Sequence, residues 1–230
     1  MSIGIGKFIY ESDIVNSVNS IYMTPEHFIN SYKSTISELE QKLLLRHIIR
    51  FNVPFIFKDR PLIFEQIRSY LSHLLDIEVG DILIIGSSKT GFSMSPKEYG
   101  KAFSEQSDID FTIVNHKLFE QLKREFLIWK LQYTEENILK PQNDTEKFYW
   151  NENLKVIKRT IDRGFIDCRK LPTRKCCPLI CKIINGMSLI TKKLHKDFNI
   201  IVKHSSVRVY IDIPSFYSQF KINTDYLIKL

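Results

Sequence analysis

The sequence has no run of about 18 apolar residues, so it predicts no membrane-spanning helix. Its first residues, MSIGIGKFIYESD, lack the apolar core of a secretory signal and soon turn acidic, which points to the cytoplasm. Cysteine is scarce, with four residues confined to 168–181, so a disulfide-stapled scaffold is excluded as an organising principle. Two tryptophans, eight glycines and eight prolines leave no repeat array, collagen-like period or low-complexity linker. Six scattered histidines form no ligand cluster; His27 and His47 read as packed or surface side chains. What is plentiful is apolar residues, 43% of 230, enough to build a core as one domain or as a core with a helical appendage.

The charge balance is basic, +7 with a pI of about 9.1, so polyanions rank high among candidate partners. The excess is concentrated. Residues 155–203 hold thirteen Lys or Arg against three Asp and no Glu. A solvated helix face would account for this, and so would a positive wall for triphosphate or single-stranded nucleic acid.

The stretch from Asp81 to Asn115 organises the rest. Ile82–Ile85 is a short β-branched run that stops at Gly86-Ser87-Ser88, and Phe111–Val114 is a second, led by Asp108-Ile-Asp110. Both read as buried strands. Residues two apart on a strand share a face, so the carboxylates of Asp108 and Asp110 point the same way and repel unless a cation lies between them. Hard oxygen ligands of this kind suit Mg²⁺ or Mn²⁺ alongside substrate phosphates. Gly86 and Ser87 offer backbone N–H groups and a hydroxyl to phosphate, and Lys89 could add a charge. Either motif alone means little, since Gly-Ser is a common turn and Asp-x-Asp a common solvated strand end.

A strand ending in Gly-Ser, a connecting segment, and a strand carrying Asp-x-Asp together resemble the nucleotidyltransferase superfamily related to DNA polymerase beta. Over residues 50 to 115, including IIGSSKTGFSMSP and FSEQSDIDFTIV, the chain is similar to a bacterial defence-associated branch of it. The resemblance implies an α+β fold, a small mixed sheet flanked by helices with further N- and C-terminal helices. It also implies transfer of a nucleoside monophosphate from an NTP or dNTP to a hydroxyl, with Mg²⁺ or Mn²⁺ held by Asp108, Asp110 and a third carboxylate from a later strand. Asp212, in the alternating VRVYIDI, is the first candidate; Asp167, in GFIDCRKLP, is the second. The acceptor stays open: a nucleotide, a growing oligonucleotide, a tRNA end or a protein hydroxyl. A partner effector protein encoded alongside is implied too, and a catalytically inactive antitoxin or regulatory module is the alternative. Cys168, Cys176, Cys177 and Cys181 do not follow the spacing of the zinc insertion known in animal members, so packed, reduced thiols are expected over zinc.

Elsewhere the sequence predicts a helix after Thr24 and one over 34–51 with Ile36, Leu39, Leu43, Leu44, Ile48 and Phe51 on its apolar face. Others are predicted over 61–75, after Val114, over 154–163, over 179–198 and from 216 to the end. Residues 1–60 read as a helical segment packed on a core of 61–230. Phe148, Tyr149 and Trp150 read first as core and second as a base-stacking platform. Ile3, Ile5, Phe8 and Ile9 suggest a short strand or a packed arm.

Overall fold

A computed structural model describes residues 10–18, 22–135 and 138–228; the suggested arm at Ile3–Ile9 lies outside them. The fold is α+β. Four strands, β1 (Ile82–Ile85), β2 (Ile109–Val114), β3 (Phe165–Asp167) and β4 (Ser205–Tyr210), form one mixed sheet in the order β1-β2-β4-β3. β2 and β4 run parallel, and the two edge strands are antiparallel to their neighbours.

Alternation gives the sheet two unlike faces. Ile82, Ile84, Phe111, Ile113, Ile166, Val207 and Val209 are fully buried on one, in the main core. That core is completed by α4 (Pro61–Leu75), α6 (His116–Thr134), α7 (Asp144–Asp162) and α8 (Pro178–Phe198). The other face carries Asp110, Ser206, Arg208 and Asp167 at one end. At the other end Phe165 and Tyr210 pack with Ile49 of α3 (Glu38–Arg50) and with Phe216 and Tyr217 of α9 (Ile213–Ile228). A third cluster joins Phe28 and Tyr32 of α2 (Pro25–Lys33) with Leu44, Leu45 and Ile48 of α3 and with Phe92. It carries the N-terminal helices onto the segment between β1 and β2. A short α1 (Asp13–Ser17) precedes them.

Helix starts follow their caps. Thr24 Oγ1 accepts from His27 N–H at 3.1 Å before Pro25, as Thr-Pro predicts. The helix expected over 34–51 begins only at Glu38, because Ser37 caps it and accepts from Glu40 N–H at 3.2 Å. Its buried face also differs from the expected one. Leu44, Leu45, Ile48 and Ile49 point inward, while Ile36 and Phe51 are exposed. Ile36 and Phe51 fall outside the helix, so its periodicity does not govern them. α7 starts ten residues ahead of the expected Leu154, behind an Asn143 cap. Within it Trp150 is buried against Trp129 and Tyr133, whereas Phe148 and Tyr149 are exposed. The expected aromatic cluster is therefore one core residue and two surface residues, because consecutive helical positions diverge by about 100°.

α8 begins without a side-chain cap from its own N-cap residue. Instead Glu125, on α6, accepts from Leu179 N–H at 2.6 Å and Ile180 N–H at 3.1 Å. Gly186, a weak point by propensity, leaves α8 unbroken. A Cβ there would lie 2.7 Å from Leu74 Cδ2, so glycine permits the close approach of α4.

Candidate functional site

Asp108 and Asp110 lie at the end of the sheet where β2 begins. The register places Asp110 opposite Ile85 on β1 and opposite Ser206 on β4. β1 therefore delivers Gly86 and Ser87 beside the acidic pair. Gly86 has φ +71° and ψ −160°, a region open essentially to glycine alone. A Cβ on it would lie 3.2 Å from Asp110 Oδ2. The turn then enters α5 (Ser87–Thr90), whose first N–H groups have no acceptor within the helix.

A cleft of about 550 Å³ opens here, lined by Gly86, Ser87, Asp108, Asp110, Lys203 and Arg208 among others. Its outer walls are the segment 93–107 and α9, through Phe220, Asn223 and Thr224. The long polar connection between the two strands thus forms one side of the cleft, pinned by the Phe92–Ala102 bridge.

The two carboxylates are held differently. Asp110 Oδ1 accepts from Ser206 Oγ at 2.6 Å. Asp108 Oδ1 is buried and has no hydrogen-bond partner among the described residues, and Asp108 Oδ2 is 4.0 Å from Arg169 Nη1. A buried carboxylate oxygen without a donor is costly, and a cation is the partner that would relieve it. The acidic pair, the orphaned oxygen and the Gly86 cradle beside Asp110 fit a divalent cation held by Asp108 and Asp110.

The third carboxylate is where sequence and structure part. Asp212 is not on a strand. β4 ends at Tyr210, and Asp212 precedes α9, accepting from Ser215 N–H at 2.7 Å. The Ser215 hydroxyl, and after it this N–H, hold its carboxyl below the usual range. Ser206, opposite Asp110, and Tyr210 are four residues apart, about 13 Å along the strand. Asp212 lies beyond that far end and does not line the cleft. The alternation in VRVYIDI continues past the strand because the first turn of α9 also needs an apolar residue, Ile213.

Asp167 lies closer. It pairs with Arg208 across β3 and β4, so it shares a sheet face with Asp110. Arg169 Nε is 3.9 Å from Asp167 Oδ1, and Arg208 Nε is 3.7 Å from Asp167 Oδ2. Asp108 and Asp167 thus reach toward the same guanidinium, that of Arg169, from two sides. No group of three or more His, Cys, Asp or Glu in metal-binding geometry occurs among the described residues. Two carboxylates are therefore assembled, and the next one is ion-paired with arginines. Sequence reading missed Ser206, Arg169 and Arg208; only pairing with β2 and β3 makes their positions meaningful.

Lys89 does not reach the cleft. It is 4% exposed and its Nζ donates to the Asn52 carbonyl, on the side of the N-terminal helices. Burial lowers its pKa to about 8. Lys89 is two helical positions beyond Ser87, about 200° around the axis, so its side chain points away from it and the sequence-predicted phosphate contact is replaced by a structural one.

Among the described residues the cysteines are part of no group of three or more in metal-binding geometry. Cys168 is fully buried, Cys177 Sγ lies 3.8 Å from the Glu125 carbonyl, and Cys181 Sγ donates to the Arg174 carbonyl at 3.5 Å. Burial raises the thiol pKa of Cys168 and Cys177, so both stay protonated. The basic segment is divided. Lys155, Arg174 and Lys193 pair with Glu152, Glu146 and Asp197, whereas Lys203 lines the cleft. No described helix is long and apolar enough to cross a membrane.

No protein-family model, no curated protein and no solved structure matches the chain.

Proposed function

We propose that the protein is a metal-dependent nucleotidyltransferase that moves a nucleoside monophosphate from an NTP or dNTP to a hydroxyl. The observation that carries this reading is the meeting of Asp108 and Asp110 with the Gly86–Ser87 turn in one cleft. Its volume, about 550 Å³, falls within the range of roughly 300–1,000 Å³ that accommodates ligands of nucleotide size.

In this reading Ser87 and the N–H groups after Gly86 receive the β- and γ-phosphates, and Lys203 faces them with a cation. Asp108 and Asp110 hold the divalent ion. When bound, that ion supplies charge neutralisation on the triphosphate and a lowered pKa at the acceptor hydroxyl. The acceptor oxygen forms a bond to the α-phosphorus as the α–β bridging P–O bond breaks. The bond pair leaves on pyrophosphate, and the hydroxyl proton passes to water. Ser206 keeps Asp110 in one rotamer through its 2.6 Å bond, so the carboxylate is pre-oriented before substrate arrives.

One observation favours a second reading, a nucleotide-binding module without turnover. Arg169 and Arg208 both neutralise Asp167, which leaves the acidic pair without a free third carboxylate.

Incubation with each labelled NTP and dNTP plus Mg²⁺ or Mn²⁺, measuring pyrophosphate and labelled product, tests the two. Transfer is expected, and Asp108→Asn or Asp110→Asn should reduce it about a hundredfold or more. A variant that keeps most of its activity would remove the metal pair. Nucleotide binding without pyrophosphate under any condition would select the second reading.

A further inference from the structure

A second hollow, about 480 Å³, lies beside the first and is lined by Arg169, Met187, Thr191, Lys192, His204 and Ser205 among others. Among the described residues no carboxylate lines it. The chain entering β4 is the partition between the two, since Lys203 lines the first cleft and His204 and Ser205 line the second.

Asp108 stands at that partition. The neighbouring Ile109 N–H donates to the His204 carbonyl at 2.9 Å, and Arg169, on the wall of the second hollow, approaches Asp108 at 4.0 Å. Buried Met187 gives an apolar floor, and the Thr191–Ser205 hydroxyl contact at 2.8 Å ties α8 to β4 in its wall.

We infer that this hollow is the acceptor site and that it takes a nucleotide bearing at least one phosphate, with its sugar hydroxyl turned toward Asp108. The inference rests on the transferase reading. Phosphoryl-type transfer needs the attacking and leaving oxygens roughly in line across the α-phosphorus. With pyrophosphate leaving toward Gly86 and Ser87, an in-line nucleophile enters from the side of the acidic pair away from that turn, and Arg169, 4.0 Å from Asp108, links that side to the hollow. Lys192, exposed on the wall, and Arg169, which also approaches Asp108 and Asp167, make that wall positive and favour an anionic acceptor over a neutral protein side chain. The apolar floor suits the face of a base. The phosphate can belong to a free nucleotide or to the 3′-terminal residue of a single strand; the chemistry of the hollow is the same for both.

The test is a binding measurement in chelator without any triphosphate, so it does not depend on turnover. A 5′-labelled single strand of about ten nucleotides is titrated by fluorescence anisotropy at about 50 mM salt, with AMP and adenosine as competitors. Binding is expected, with AMP competing far better than adenosine. Lys192→Glu should weaken it about tenfold, and Lys196→Glu, the same charge change on the same helix outside the hollow, less than about threefold. A strand bound much more tightly than AMP identifies a strand end, and equal affinities identify a free nucleotide. Equal losses in the two variants, equal competition by adenosine, or no binding would each overturn the proposal, the last pointing to an acceptor without phosphate such as a protein hydroxyl. Pyrophosphate release without such binding would leave the transferase reading intact while removing this site. Binding without transfer would leave a nucleotide site and remove its role as acceptor.

Discussion

Lys89 shows how far one residue's role depends on its surroundings. Next to a phosphate-binding turn it reads as a ligand contact, yet its amine is buried on the Asn52 carbonyl, with its pKa lowered to about 8. In the unfolded chain the same amine titrates near 10.4. Between these values the unfolded state binds more protons than the folded one, so this group makes stability rise with pH from about 8 to about 10.5. Tyr32 and Cys168, which burial holds protonated in the fold, act in the opposite direction above their ordinary pKa. The contribution of Lys89 is therefore read as a difference. Denaturant titrations at several pH values should show wild type gaining stability relative to Lys89→Met across that window. A constant difference from pH 7 to 10 would mean that the amine is not held in a desolvated site.

At the scale of elements, Asp212 and Glu125 each end up serving a helix. Asp212 caps α9, so Asp212→Ala should cost about 1 kcal/mol, lowering Tm by about 2–4 °C for a chain of this size. The nucleotidyl transfer proposed above should be unchanged once the protein is folded. A loss of transfer at full stability would return Asp212 to the site. Gly86 belongs to a β-to-α turn whose positive φ has no alternative residue. Gly86→Ala should destabilise by about 1–3 kcal/mol through backbone strain and press on Asp110, measured as a shift in the denaturation midpoint.

For the whole molecule, the division into residues 1–60 and 61–230 is a division of sequence rather than of packing. Phe92, which follows α5, lies in the same cluster as Phe28, Tyr32 and Leu45 from α2 and α3. Tyr32 Oη also donates to Asp225 on α9 at 2.7 Å, joining α2 to the last described helix. Cooperative unfolding in one transition is expected. Calorimetric and van't Hoff enthalpies should agree, and removal of residues 1–53 should expose Phe92 and lower stability rather than release an independent core. Two separate transitions would instead establish a separable N-terminal unit.

Period and local chemistry were enough for some features. β1, the main part of β2, α4, α6 and α8 were legible because each couples a clear apolar period to a turn, a proline or a cap within a few residues. The Gly86–Ser87 turn and the Asp108–Asp110 pair were legible as neighbours because they bracket two strands that pair directly. Other features required the folded chain. A strand and the first turn of a helix can share two-residue alternation, so VRVYIDI placed Asp212 on a strand that stops at Tyr210. Phe51 was expected on the inner face of α3, but the helix ends at Arg50, so its period does not place that side chain, which is exposed. Ser206, Arg169 and Arg208 carry no local signal at all. Their meaning comes from the parallel pairing of β2 with β4 and the antiparallel return of β3, contacts made over tens of residues. Tertiary structure decided them because which strands become neighbours depends on how helices cover both faces of the sheet, a property no short window of sequence contains.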